Sequence, residues 1–269
     1  MGSGLAEVIA RSNKQVIVRS RSIASASQMK AAVEKSLEKQ VAKEKISQGD
    51  ADRTLANITL TDNVGDLRDC DLVIESIIEE LEPKVALFKE LDALTNPDAI
   101  LATNTSTLAV VELARATNRP DKVCGIHFFN PATLMPLVEI IRPVTASDET
   151  IETATAFASA CGKEPVQVLD RAGFIVNALL FPYLNNAIRM YEMGTASMED
   201  IDVAMKGGCN FPMGPFALLD LVGLDTSVAI LNALHAEFKS ANLEPRPMLK
   251  KLVSEGKLGR KTKQGFYSY

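Results

Sequence analysis

Residues 99–127 read AILATNTSTLAVVELARATNRPDKVCGIH. The stretch holds an apolar run, Ala99 to Thr103, a polar turn, Asn104 to Thr107, a helical pattern carrying Val110 and Leu113, and a second apolar run, Val123 to His127. Strand, turn, helix and strand in so short a span make a βαβ unit. Such a unit predicts a parallel sheet, because parallel neighbours need a crossover rather than a hairpin. The same texture extends on both sides. Gln15 to Val18 and Leu72 to Ser76 precede it, and Leu137 to Arg142 and Val166 to Leu169 follow. Together they predict a doubly wound α/β domain over residues 1–170. Between the first two runs Val33, Leu37 and Val41 fall at i, i+4 and i+8, the stripe of a long helix packed by one face.

After Asp170 the pattern changes to helix upon helix. Ile175, Val176, Leu179, Leu180, Tyr183, Ile188 and Tyr191 recur near the helical period up to Gly194, and further helices are expected after Pro215 and around Pro247. Residues 171–269 are read as an all-helical C-terminal domain.

Composition narrows the function. Lys and Arg number 29 against 34 Asp and Glu, a net charge of −5, which argues against nucleic acid or an anionic membrane as partner. Neither a leader-like start nor a run of about 18 apolar residues is present, so the expected location is cytoplasmic. Cys70, Cys124, Cys161 and Cys209 form no C-x-x-C pair, and with two histidines in the chain no metal site is expected. The cysteines are expected to be reduced and buried.

His127 ends a strand, where open α/β sheets bind ligands, and is a candidate acid/base or a structural histidine. Glu139 lies in the apolar run Leu137-Val-Glu-Ile-Ile141, where it either partners a histidine or faces water from an edge strand. Ser106 follows another strand and could donate to a substrate oxygen or cap the next helix. Asn177, flanked by Ile175, Val176, Leu179 and Leu180, would meet a substrate carbonyl or another helix. Lys35, Lys39 and Lys43 form a second stripe on the long helix, fit for a ligand phosphate or for plain solvation. His235 lies mid-helix and carries no such setting. Met1-Gly2-Ser3-Gly4 enters a helical pattern as the end of a G-x-G-x-x-G turn would, with no strand or earlier glycine before it. At the end of the first strand stand Arg19, Ser20 and Arg21, in place of the acidic residue that holds a ribose 2′-hydroxyl in NAD sites.

Asn104-Thr-Ser106, His127-Phe-Phe-Asn-Pro131, Leu137-Val-Glu139, Gly173-Phe-Ile-Val-Asn177, Pro212-Met-Gly-Pro-Phe216 and Gly265-Phe-Tyr267 together resemble the L-3-hydroxyacyl-CoA dehydrogenase family, most closely its short bacterial 3-hydroxybutyryl-CoA members. The resemblance runs in order along the whole chain. It implies a Rossmann-type, mostly parallel sheet followed by a helical domain that serves substrate binding and dimerisation. It also implies hydride exchange between a nicotinamide cofactor and C3 of a short 3-hydroxyacyl-CoA. His127 matches the catalytic base, Glu139 its partner, and Ser106 and Asn177 the residues on the reacting oxygen and substrate. Gly2, Glu79, Lys84, Ser106, Asn130 and Lys261 match cofactor-side positions, and Ser36 and Lys43 match contacts to CoA. Two departures follow. The first strand and its glycines are missing from the pattern, as in an N-terminally truncated member, and Arg19, Ser20 and Arg21 point to NADP in preference to NAD. The incomplete nucleotide loop leaves a non-catalytic or impaired dimeric relative as one alternative, and a dehydrogenase of a non-CoA 3-hydroxy acid is the other.

Overall fold

The computed structural model describes residues 1–269, which divide into two compact units, Met1–Asp170 and Arg171–Tyr269. The first unit runs α1 (Gly2–Arg11), β1 (Val16–Arg19), α2 (Ile23–Val41), α3 (Gln48–Ala56), β2 (Ile58–Thr61), β3 (Leu72–Glu75), α4 (Leu81–Leu94), β4 (Ile100–Thr103), α5 (Val110–Ala114), β5 (Val123–Phe128), β6 (Leu137–Arg142), α6 (Asp148–Ala160) and β7 (Glu164–Leu169). It is a Rossmann-type α/β unit. The strands form two sheets, β1-β2 and β3-β4-β5-β6-β7, parallel throughout except that β5 and β6 are antiparallel.

No strand pairing joins the two sheets. Helix α1 ties the two sheets by packing instead. Its Leu5 and Val8 join the core of Ile100, Cys124, Ile126 and Ile140, while Ala6 and Ala10 join Val18, Val33, Leu37 and Ile58.

The long helix expected between the first two strands is α2, which holds the whole apolar stripe Val33, Leu37 and Val41 but not all of the lysine stripe. α2 stops at Val41, and Lys43 lies beyond its C-cap Ala42, so the three lysines do not share one helix. Ser47 then opens α3 through a reciprocal capping box with Asp50, and Ile58-Thr-Leu-Thr61 forms a strand missed in the sequence.

The second unit is helical, with α7 (Val176–Glu192), α8 (Met198–Cys209), α9 (Pro215–Val222), α10 (Leu224–Phe238) and α11 (Pro247–Ser254). The face α7 buries is rotated from the expected one. Phe181, Leu184 and Ile188 are buried, whereas Leu179 is 73% exposed. Two buried aspartates organise this unit. Asp202 accepts from the Phe216 and Ala217 amides at the start of α9 and from the Tyr267 hydroxyl, and Asp220 accepts from the Phe266 and Tyr267 amides and the Tyr269 hydroxyl. A Cβ on Gly214 or Gly265 would run into these carboxylates, so Pro212–Phe216 and Gly265–Tyr267 have a packing reason for their glycines. His235 Nδ1 meets the Ser240 carbonyl at 2.9 Å, a structural contact. Cys124 and Cys161 are buried, but Cys70 is only half-buried and Cys209 is exposed at the end of α8, so burial holds for two of the four cysteines. No single helix is long and apolar enough to cross a membrane.

Candidate active site

β4 and β5 are buried along their whole length, and Thr103 lies beside Gly125 in the parallel register. The loop that leaves β4 therefore emerges beside the last residues of β5. Across the antiparallel pair, His127 stands directly opposite Glu139. Directly opposed side chains share one sheet face, close enough to interact. Gly125 makes that approach possible, because a Cβ there would come within 2.8 Å of Ile141 on β6.

Three side chains meet as a result. His127 Nδ1 lies 2.8 Å from Glu139 Oε2, and His127 Nε2 lies 3.0 Å from Ser106 Oγ. Glu139 is 0% exposed and sits on an inner strand between β5 and β7, which rules out the water-facing edge position. A carboxylate can only accept, so Nδ1 donates to it and Nε2 is left as the acceptor that takes the Ser106 hydroxyl. Phe129 packs on the imidazole at a centroid distance of 4.7 Å, and Asn104 Oδ1 accepts from the Phe128 amide at 2.8 Å.

Ser106 does not cap the helix that follows. α5 begins at Val110, and its first amides donate to Asp170 Oδ1 and Oδ2 at 3.0 and 2.7 Å. Ser106 is held instead by Glu79, whose Oε1 accepts from Thr105 Oγ1, the Ser106 amide and the Thr107 amide at 2.6, 2.7 and 3.0 Å. Burial pushes the Glu79 carboxyl up, but the Thr105 hydroxyl, the Lys84 ammonium and the Ser106 and Thr107 amides outweigh it and hold it below its ordinary value. Lys84 is 1% exposed, and its Nζ lies 2.6 Å from Glu75 and 3.4 Å from Glu79. Sequence reasoning missed Glu75, Thr103 and Asp170. Each is a polar residue closing an apolar run and reads as turn punctuation.

At the end of β1, Arg19 Nε is buried without a hydrogen-bond partner, Ser20 Oγ bonds Ser25 Oγ at 2.9 Å, and Arg21 is exposed. The first turn of α1 carries neither a side-chain cap nor an acidic residue, and a Cβ on Gly2 would crowd the end of Met29. An unpaired guanidinium nitrogen and uncapped amides suit anionic groups, so these residues fit the phosphates of a dinucleotide. Ser36 and Asn130 line one recess with Gly4 and Glu7. Lys43 is exposed. In the second unit Asn177 is buried in the first turn of α7, and Lys261 is paired to both oxygens of Asp225 at 2.6 Å.

Residues 1–171 match the model of the 3-hydroxyacyl-CoA dehydrogenase NAD binding domain, and residues 173–269 that of the 3-hydroxyacyl-CoA dehydrogenase C-terminal domain. The chain is 44% identical to a 3-hydroxybutyryl-CoA dehydrogenase of Mycobacterium tuberculosis, over 100% of this chain and 95% of that one. It is 46% identical to the mitochondrial hydroxyacyl-coenzyme A dehydrogenase of Homo sapiens, over 100% and 88% respectively. The crystal structure of (S)-3-hydroxybutyryl-CoA dehydrogenase from Ralstonia eutropha superposes with a TM-score of 0.97 at 39% identity, covering 100% of this chain and 95% of that one. With both of its units matched in order, the protein belongs to the 3-hydroxyacyl-CoA dehydrogenase family of oxidoreductases.

Proposed function

We propose that the protein interconverts a short (S)-3-hydroxyacyl-CoA and its 3-keto thioester, 3-hydroxybutyryl-CoA and acetoacetyl-CoA being the pair, with NADP preferred to NAD. The observation that carries this reading is the line Ser106, His127, Glu139, half-buried at Ser106 and buried at His127 and Glu139, each link 3.0 Å or shorter. When bound, the nicotinamide ring supplies or accepts the hydride. The residues handle the proton. In oxidation His127 Nε2 takes the C3 hydroxyl proton, and in reduction the imidazolium returns it to the forming alkoxide. Glu139, accepting from Nδ1, fixes the ring and stabilises its charged form. The Ser106 hydroxyl, already aimed at Nε2, is placed to donate to the same oxygen and spread its developing charge.

Arg19, Ser20 and Arg21 support the NADP preference, since guanidinium and hydroxyl donors match a 2′-phosphate and an acidic residue would repel it. Gly2 and the uncapped start of α1 serve the diphosphate. Glu79 and Lys84 belong beside the nicotinamide ribose and phosphates in the family, as does Asn130. Lys84 is turned onto two carboxylates, so Glu79, about a third exposed, is the acceptor of the two. By the same resemblance Ser36 and Lys43 bind CoA, Asn177 orients substrate and Lys261 contacts cofactor. A homodimer formed through the second unit belongs to this reading, and exposed Leu179, Met193 and Val203 there give it apolar surface.

The test follows loss of reduced nicotinamide absorbance with acetoacetyl-CoA and with free acetoacetate, each with NADPH and NADH. The expected result is turnover of the thioester alone, faster with NADPH. About tenfold better kcat/KM with NADH would overturn the cofactor preference, and equal turnover of free acetoacetate would overturn the CoA reading. Silence with both cofactors would favour a non-catalytic relative.

A further inference from the structure

Glu75 takes no part in the proton path, yet hydrogen bonds link it to the loop that carries Ser106. It closes β3, is 3% exposed, and accepts from Lys84 Nζ at 2.6 Å, Thr103 Oγ1 at 2.7 Å and the Ile77 amide at 2.5 Å. Two routes of contact run from it to the loop at 104–107. In the first, Thr103 Oγ1 donates to Glu75 Oε2 and accepts from the Thr105 amide at 3.2 Å. In the second, Lys84 bridges Glu75 to Glu79, and Glu79 grips Thr105, Ser106 and Thr107. Both routes end on the loop that sets Ser106 Oγ 3.0 Å from His127 Nε2.

Burying an ammonium is costly unless every charge and donor is matched, and a buried network that is fully matched is stiff. Here the spare acceptor capacity of Glu79 goes to groups of the 104–107 loop, and that of Glu75 goes to Thr103 at the end of β4 and to the Ile77 amide. A hydroxyl on an unanchored loop would sample several rotamers and lose the geometry that a transition state requires. We propose that Glu75 and Thr103, acting with Lys84, are positioning residues that hold the 104–107 loop so that the Ser106 hydroxyl stays on His127. This rests on the dehydrogenase reading above.

Glu75→Gln would also weaken the pairing of the buried Lys84 charge, leaving Glu79 at 3.4 Å as its carboxylate partner, so the decisive variants are Thr103→Val, which keeps the shape and removes the hydroxyl, and Thr103→Ser, which restores it. In acetoacetyl-CoA reduction, Thr103→Val is expected to lower kcat by about tenfold, the order of one lost hydrogen bond to a charged group, with cofactor KM within about twofold. Thr103→Ser should recover most of the rate. Combined with Ser106→Ala, Thr103→Val should cost nothing further, because both act through one hydroxyl. Hydrogen exchange at the Ser106 and Thr107 amides, read on the free protein, should quicken in Thr103→Val and not in Thr103→Ser. Wild-type exchange rates in Thr103→Val, or losses that multiply with those of Ser106→Ala, would overturn the proposal. The exchange readout needs no turnover, so failure of the dehydrogenase reading would be seen separately, as a wild type silent towards acetoacetyl-CoA.

Discussion

In the proposed mechanism Glu139 carries the most weight, because it is wholly buried and its contact with Nδ1 would make the imidazole a directed base. Glu139→Gln keeps the shape but offers Nδ1 an amide donor, which favours the other tautomer and puts a proton on Nε2. Turnover should fall by about 10²-fold or more while cofactor affinity is unchanged, as steady-state rates and a cofactor titration would report. Glu79 makes a pH prediction. Its carboxyl is held below its ordinary 4.5, so its contribution to stability is complete above that value and is lost as pH falls through the folded-state value. The difference in unfolding midpoint between wild type and Glu79→Gln should therefore be present near neutrality and narrow progressively as pH falls below 4.5; a gap that stays constant or widens as the pH is lowered would count against it. His127 and Ser106 were legible as candidate residues at strand ends and Glu139 as a carboxylate inside an apolar run; the pairing of Glu139 with His127 came from the resemblance, and its geometry was not readable. A spacing of twelve residues between His127 and Glu139 becomes a direct pairing only because β5 and β6 are antiparallel.

Among elements, strands in the buried sheet were the easiest to read, since β3 to β6 are short apolar runs with polar ends. β2 was hidden because Ile58-Thr-Leu-Thr61 has two apolar residues and no flanking glycine or proline, and the preceding stripe invited a longer helix. On α7 apolar residues surround the helix, so periodicity alone could not choose between Leu179 and Phe181 as the inward side. The backbone amides of Phe266 and Tyr267 in the C-terminal segment are both held by the Asp220 carboxylate. Asp220→Ala would leave the Phe266 and Tyr267 amides without their acceptor, and should lower unfolding free energy by roughly 2–4 kcal/mol in urea titration.

For the molecule as a whole, a net charge of −5 does not favour anionic cofactors, so the proposed NADP preference rests on the local donors at the end of β1. Ser20→Asp should repel a 2′-phosphate and accept from a ribose hydroxyl, moving the kcat/KM ratio of NADPH to NADH towards NADH by about tenfold or more. The architecture of an α/β unit followed by a helical one was readable from the change of texture at Asp170. The division of the strands into two sheets tied by α1 was not, because pairing is a property of neighbours distant in sequence. The central claim is that His127 moves the proton in a hydride transfer at C3 of an acyl-CoA. Wild type and His127→Gln, compared in acetoacetyl-CoA-dependent oxidation of NADPH with cofactor affinity measured alongside, test it most directly. The account predicts a loss of about 10²–10⁴-fold in kcat with cofactor affinity within about twofold, and a variant that turns over within about threefold of wild type would contradict it.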